Sequence, residues 1–344
     1  MALENNSYKN LVFLCGARDF HAMDWYRRSL DKLENINIFI LTDLIEGEQF
    51  KCLIEENDVV FKLLILDNFL FRDQSNLGNY WRRFIKILVF PIQVYLIKKF
   101  SRKFPKSIFY AHGMYYIWLA KFSGIEYVGR PQGGDINIKP FKSKIYRLLS
   151  KKSIENAKAI IVDSQIMNNN IKKISNTDKV FVIPNGIDLK TIGELFKFKH
   201  KQNLRKAIIS TRGFAKLYRI HEILASRKKR EETSKLPIKF IYPFYDLDYK
   251  NSLEKFFIPT DEDISRLDKI DLYKEFMKAK LVISIPLSDS SPRSVYEAIF
   301  CGCIVAITYN SYFDNFPNSI KERVVLVDIS QNDWFHYAIN KADV

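Results

Sequence analysis

A chain of 344 residues is longer than one hydrophobic core usually serves, which points to two domains. With 47% hydrophobic residues both can be buried, which excludes wholesale disorder. The formal net charge of +15 calls for an anionic partner, and nucleic acid, an acidic membrane surface and phosphorylated small molecules all satisfy it.

The opening residues, MALENNSYKN, contain no basic start followed by an apolar stretch. The four cysteines (Cys15, Cys52, Cys301, Cys303) form no CxxC, so a reduced, cytoplasmic protein is expected. Neither they nor the five histidines show metal-ligand spacing, and no metal site is expected. Cys301-Gly302-Cys303 straddles a helix end and a strand start, where packing is the expected role.

Asn10 to Cys15 reads as the first strand, followed by Gly16 and a helix from about His21 to Leu33. Strand, Gly turn and helix suit a Rossmann-like half, although a single Gly is no dinucleotide fingerprint. Gly16 either lets a ligand approach closely or makes a tight turn. Strands are expected near 36–41 and 59–66.

Residues 79–106 carry eight Lys or Arg and no acid, around an apolar centre from Ile87 to Ile97. That centre is too short to span a bilayer, which takes about 20 residues. A basic amphipathic helix led by Tyr80 and Trp81 suits an anionic membrane surface; a helix packed on the sheet with solvated basic ends is the alternative. Ser107 to His112 is the next strand, with His112 at its carboxyl end, facing a ligand or held structurally. Tyr127 to Gly129 is a further strand, leading into a Gly-rich loop, 130–135. There Asp135, after two glycines, reads as a turn-forming Asp unless a family motif gives it another role. Lys139 to Lys152, again without an acid, extends the basic surface.

Ala159 to Asp163 and Val180 to Ile183 read as strands around a helix, closed by the turn Pro184-Asn-Gly-Ile-Asp188. Residues 189–204 are polar and Lys-rich, so the expected layout is a domain over 1–188, a linker over 189–204 and a domain over 205–344.

The second domain opens with the strand 206–210, then Thr211-Arg-Gly-Phe-Ala-Lys-Leu-Tyr-Arg219 and a helix through Lys229. Cations just past the first strand of such a half suit a diphosphate: Arg212, with Lys216 or Arg219 as the second charge. Strands are expected at 238–242 and 256–258, and a loop and helix over 265–278.

Leu281 to Ile285 is a short buried strand, followed by the polar loop 287–290. Ser291 and Pro292 are expected as N-cap and first helical residue, and Gly302 as the left-handed residue past the helix end. Cys303 to Ile307 completes a βαβ unit. In such units ligands collect beyond the carboxyl ends of the strands, so loop 287–294 is expected to receive an anion. Glu297 lies five residues past Pro292, about 7.5 Å along the helix, and can lean back towards that loop to accept from two adjacent hydroxyls. A strand at 324–327 and one short helix end the chain.

Asp289, seven residues, Glu297-Ala298, a short apolar step and Gly302 resemble the paired-acid motif of retaining GT-B glycosyltransferases, family 4 in particular. Ile160-Ile-Val-Asp-Ser164 followed by Val182-Ile-Pro-Asn-Gly-Ile-Asp188 resembles the end of that family's first domain. The resemblance covers most of the chain and implies an α/β protein of the GT-B fold, two Rossmann-like domains facing a central cleft. The N-terminal one would take the acceptor and the C-terminal one the nucleotide-sugar donor. By resemblance Asp289, where Glu is usual, contacts the donor sugar, and Glu297 the ribose. The amides of Ser291, Pro292, Arg293, Ser294 and Val295 hold sugar and phosphate. Arg212 and Lys216 neutralise the departing diphosphate, Gly16 faces it, and His112, Gly134 and Asp135 lie on the acceptor side.

The implied reaction transfers a sugar to an acceptor hydroxyl with retained configuration, without metal or cofactor beyond the donor. The implied acceptor is lipid-linked or saccharide, in surface polysaccharide or glycolipid synthesis, with the enzyme peripheral on the inner membrane face. Nucleic acid is not expected. Two readings compete: a subunit that binds nucleotide sugar but has lost turnover through Asp289, and a basic nucleic-acid-binding protein on a Rossmann-like scaffold.

Overall fold

The computed structural model describes residues 8–16, 20–30, 33–42, 54–63, 76–197, 205–289 and 291–343. The chain divides into two compact units, Met1–Asn185 and Gly186–Val344.

The first unit is built on β1 (Asn10–Cys15), α1 (Phe20–Trp25), β2 (Asn37–Thr42), β3 (Val59–Lys62), α2 (Asn76–Lys103), β4 (Ser107–His112) and α3 (Met114–Ser123). It continues through β5 (Tyr127–Arg130), α4 (Gly133–Asn137), α5 (Lys139–Lys142), α6 (Lys144–Asn156), β6 (Ala159–Val162), α7 (Gln165–Lys172) and β7 (Val180–Val182). A π-turn, Tyr26–Leu30, prolongs α1. All seven strands run parallel in the order β3-β2-β1-β4-β5-β6-β7. A parallel sheet is covered on both faces, which is why these strands read as unbroken apolar runs. Alternation sorts them: Val12 and Leu14 enter the core beneath α2, α3 and α6, while Leu11, Phe13 and Cys15 enter the core with Met23 and Tyr26.

The second unit begins with α8 (Leu189–Lys197), β8 (Ala207–Ser210), α9 (Ile220–Arg227), α10 (Glu231–Ser234), β9 (Ile238–Ile241), α11 (Leu247–Leu253) and β10 (Glu262–Ser265). It ends with α12 (Lys269–Lys278), β11 (Ala279–Ser284), α13 (Arg293–Phe300), β12 (Ile304–Ile307), α14 (Asn318–Lys321), β13 (Val324–Leu326) and α15 (Trp334–Ala342). Its six parallel strands lie in the order β10-β9-β8-β11-β12-β13. Neighbouring residues again face opposite ways: Ile208, Leu281 and Ile283 pack on one side, Ile209 and Val282 on the other. Both sheets reverse their strand order once, between β1 and β4 and between β8 and β11, the switch points where such folds take ligands.

Four expectations change. The stretch expected as a linker starts instead as α8, an amphipathic helix whose Ile192 is buried in the second unit's core; residues 198–204 lie outside the described residues. No strand forms at 256–258, where a 3₁₀ turn (Glu254–Phe256) stands; the edge strand is β10, whose sequence EDIS is too polar to read as one. Residues 133–135, expected within a loop, open the short helix α4, nucleated by a capping box between Gln132 and Asp135. Helix α2 is not amphipathic, because its inward face (Val94, Ile97, Phe100) and its outward face (Phe84, Ile87, Leu88, Ile92) are both apolar. Its charges gather at the ends. Among the described residues no helix is long and apolar enough to cross a membrane.

Candidate functional site

At the switch point of the second sheet, β8 and β11 lie side by side with Ser210 opposite Ile283. Two residues beyond β8's end, past Thr211, the chain presents Arg212. Its Nε donates to Ser284 Oγ at 2.7 Å, and its Nη2 reaches Asp289 Oδ2 at 2.6 Å. The guanidinium lies 5.7 Å from the centroid of the Tyr218 ring. Burial pushes the Tyr218 hydroxyl up while the Arg212 charge pulls it back, and burial, then the Asp289 charge, pushes Tyr312 up. Both phenols stay protonated at neutral pH and can donate. The Ser210 and Thr211 hydroxyls are buried with no hydrogen-bond partner among the described residues. Arg212 and Asp289 were expected here; Ser284, Tyr218, Tyr312 and the two hydroxyls are additions that only the sheet order brings together.

The two candidates for the second cation separate. Arg219 stands in the left-handed region (φ 54°) and donates through Nε to Ile285 O at 2.7 Å. Its Nη2 donates to Pro286 O at 2.8 Å and Thr308 Oγ1 at 3.1 Å. Its guanidinium thus fastens the turn after β11. Lys216, three residues earlier, is exposed at the start of a 3₁₀ turn.

Helix α13 begins one residue later than expected. Pro292 is its N-cap and Arg293 its first residue, because Pro292 holds an extended ψ of 92°. Pro292 has no N–H to offer a ligand, and the Val295 N–H donates to Pro292 O at 3.0 Å. Those two therefore drop out as amide donors, leaving Ser291, Arg293 and Ser294; Ser290 lies outside the described residues. The far end matches expectation. Gly302 holds φ 85°, its N–H donates to Ile299 O at 2.8 Å, and the Cys303 N–H donates to Ala298 O at 3.0 Å. This is the paired bonding of a left-handed helix stop, with both cysteines packed in the core.

Glu297 is 1% exposed and carries four contacts. Lys269 Nζ lies 2.7 and 2.9 Å from its two oxygens, Tyr273 Oη donates at 3.1 Å and Arg293 Nε at 3.2 Å. Lys269 and Tyr273, one turn apart on α12, were not legible as partners: nothing local links them to a Glu on a later helix.

The first unit's candidates fare differently. Gly16 follows β1, but what approaches it is protein: a Cβ there would lie 2.6 Å from Tyr116 Oη. His112 ends β4, buried, its ring edge-on to Phe13 at 6.1 Å. Gly134 lies within α4, and a Cβ would meet nothing there within 4 Å. Asp135 is 6% exposed and ties three segments together. Its Oδ2 accepts from the Met114 N–H at 2.9 Å and the Gln132 N–H at 3.2 Å; its Oδ1 accepts from Lys139 Nζ at 2.7 Å and Tyr146 Oη at 3.1 Å. That is a structural tie. A charge missed in the sequence is Arg130, buried at the end of β5, stacked 3.5 Å from the Trp25 ring centroid and donating to Asn185 Oδ1 at 2.8 Å. Among the described residues no group of three His, Cys, Asp or Glu side chains is placed to hold a metal.

No protein-family model matches the sequence, and no curated protein sequence does either. Solved structures do. HepE of Anabaena, in complex with UDP and glucose, matches with a TM-score of 0.70 at 12% identity, over 97% of this chain and 90% of that one. Sucrose-phosphate synthase of Thermosynechococcus elongatus gives 0.69 at 12% identity, over 97% and 89%. S. aureus MnaA with UDP gives 0.62 at 11% identity, over 98% and 88%. Identities this low speak to architecture, since one fold hosts many chemistries. By fold the chain is GT-B, an α/β protein of two Rossmann-like domains with parallel sheets of seven and six strands.

Proposed function

We propose that this chain is a glycosyltransferase of the family 4 type, moving a sugar from a nucleotide-diphosphate sugar to an acceptor hydroxyl with retained configuration and without a metal. The observation that carries this reading is the set Arg212, Ser284, Asp289 and the start of α13, gathered at the switch point of the second sheet. A cation, hydroxyls and a helix N-terminus there suit a diphosphate. HepE structures with UDP and with UDP-glucose support a nucleotide sugar as ligand.

In the proposed reaction Arg212 and Lys216 face the diphosphate. As the bond between the anomeric carbon and the phosphate oxygen breaks, the electron pair passes to that oxygen, and fixed cations stabilise the growing charge. The acceptor hydroxyl bonds to the anomeric carbon on the same face, and its proton passes to the departing diphosphate. Glu297 accepts from the ribose hydroxyls once Lys269 yields. The second domain takes the donor and the first the acceptor, a lipid-linked or saccharide precursor of surface polysaccharide or glycolipid, on the cytoplasmic side.

A thermal-shift panel of UDP-, GDP-, ADP- and CMP-sugars tests the reading, because a ligand at 100 times its Kd stabilises by about 2.7 kcal/mol. No shift with any donor overturns it. Transfer that persists in EDTA supports the metal-free form. Binding without hydrolysis or transfer, restored to turnover by Asp289→Glu, points instead to a subunit that has lost catalysis.

A further inference from the structure

The outward face of α2 is apolar and exposed. Phe84, Ile87, Leu88, Ile92 and Tyr95 recur at helical spacing and are all more than half exposed, Ile87 at 72%. They form a stripe about 17 Å long. The opposite face of the same helix is already buried in the core through Ile97 and Phe100, so packing on the sheet does not account for the stripe. A second apolar group stands on α6, with Ile145 at 75% exposure and Leu148 at 54%. Helix α3 joins the two: Phe122 meets Phe90 of α2 at 5.5 Å between ring centroids, and Trp118 meets Tyr146 of α6 at 4.9 Å. All three helices lie on one side of the first sheet.

An apolar surface of this extent needs an occupant. Its charge indicates which. Between 76 and 152 the chain has 16 Lys or Arg and only two acids, Glu126 and Asp135. Asp135 is buried and Glu126 is paired with Lys158 at 2.7 Å. A second copy would bring the same excess of positive charge to the interface, and like-charge faces repel. We propose that the outer faces of α2 and α6 together dock on an anionic lipid bilayer, apolar side chains among the acyl chains and the flanking lysines at the lipid phosphates. Charge alone predicts attraction to such a surface; the apolar stripe adds insertion. The proposal stands whether or not the chain transfers sugar.

Co-sedimentation of the full chain with vesicles tests it, comparing phosphatidylcholine alone with phosphatidylcholine mixed with phosphatidylglycerol. The wild type should bind only the mixed vesicles and keep part of that binding at high salt, because apolar insertion is not screened. Ile87→Gln/Leu88→Gln/Ile145→Gln should lower partitioning at least about tenfold, as exposed positions whose only loss is apolar burial. Lys98→Gln/Lys99→Gln/Lys144→Gln should weaken binding mainly at low salt. An environment-sensitive dye on Ile145→Cys should shift to the blue with the mixed vesicles, a readout that needs no multiple variant. Absence of wild-type binding overturns the proposal, as does wild-type-like binding by the Ile/Leu triple variant. A solution dimer that the same triple variant dissolves overturns it in favour of a second copy.

Discussion

Lys269 holds both carboxylate oxygens of Glu297, at 2.7 and 2.9 Å, the bidentate position that a pair of ribose hydroxyls would take. The acid is 1% exposed whereas the lysine side chain is 32% exposed, so the lysine is the partner able to move. Burying an acid is tolerated only when it is paired and hydrogen-bonded, and Tyr273 and Arg293 supply the rest of the pairing.

Glu297→Gln therefore has two expected effects. Nucleotide affinity falls by about 1.5–3 kcal/mol as the charge-assisted acceptor is lost. Stability also falls, by roughly 1–3 kcal/mol, because Lys269 and Arg293 lose their counter-charge at a partly solvated site. Calorimetry with nucleotide measures the first and urea unfolding the second. In a stability cycle with Lys269→Met the pair should couple by about 1–2 kcal/mol. Unchanged nucleotide affinity removes Glu297 from the site.

Arg219 and Lys216 should part in experiment as they do in structure. Arg219→Ala frees the carbonyls of Ile285 and Pro286 and the Thr308 hydroxyl from their donor, so melting temperature and activity should fall together. Charged hydrogen bonds of this kind contribute about 1.5–3 kcal/mol each in favourable cases. Lys216→Ala, at an exposed position, should leave the melting temperature unchanged and lower turnover. The reverse pattern would make Arg219 the phosphate cation.

Gly302→Ala should destabilise by about 2 kcal/mol or more, read from the urea midpoint. An alanine would have to adopt φ 85°, and its Cβ would lie 2.5 Å from Arg205 Nη2. That guanidinium is itself pinned, donating to Cys301 O at 2.8 Å and Ala279 O at 3.2 Å. A variant as stable as wild type would show that the helix stop tolerates a side chain.

The βαβ unit at 279–307 was legible because apolar runs, a turn and a glycine each act locally. Arg212 and Asp289 were legible through position, one past β8's end and one in the loop after β11. The contacts that shape the site were not, because they join residues distant in sequence: Lys269 with Glu297, Arg219 with Thr308. Composition was misleading where one face hides another. The Lys-rich stretch after 188 conceals Ile192 and α8, and Arg227, within the helix expected to run through Lys229, is fully buried against Asp261 at 2.5 Å. Residues 17–19, beside Gly16, lie outside the described residues.

Arg212 offers the sharpest test of the proposed chemistry. Its guanidinium is fixed from two sides, by Ser284 Oγ at 2.7 Å and Asp289 Oδ2 at 2.6 Å, and its side chain is 14% exposed. A group held so firmly needs no reorganisation when charge grows on a diphosphate oxygen beside it, so its contribution should appear in the transition state rather than in donor binding. Arg212→Ala should lower kcat by about 10²–10³ while donor Kd changes much less. It also leaves Asp289 without its counter-charge beside a diphosphate, so part of the loss is repulsion. The double variant Arg212→Ala/Asp289→Asn separates the two: it should recover some donor affinity but not kcat. Arg212→Lys should recover only part of the rate, because an ammonium cannot hold Ser284 and Asp289 in the same fork geometry. A folded Arg212→Ala protein that transfers sugar at the wild-type rate sinks the mechanism.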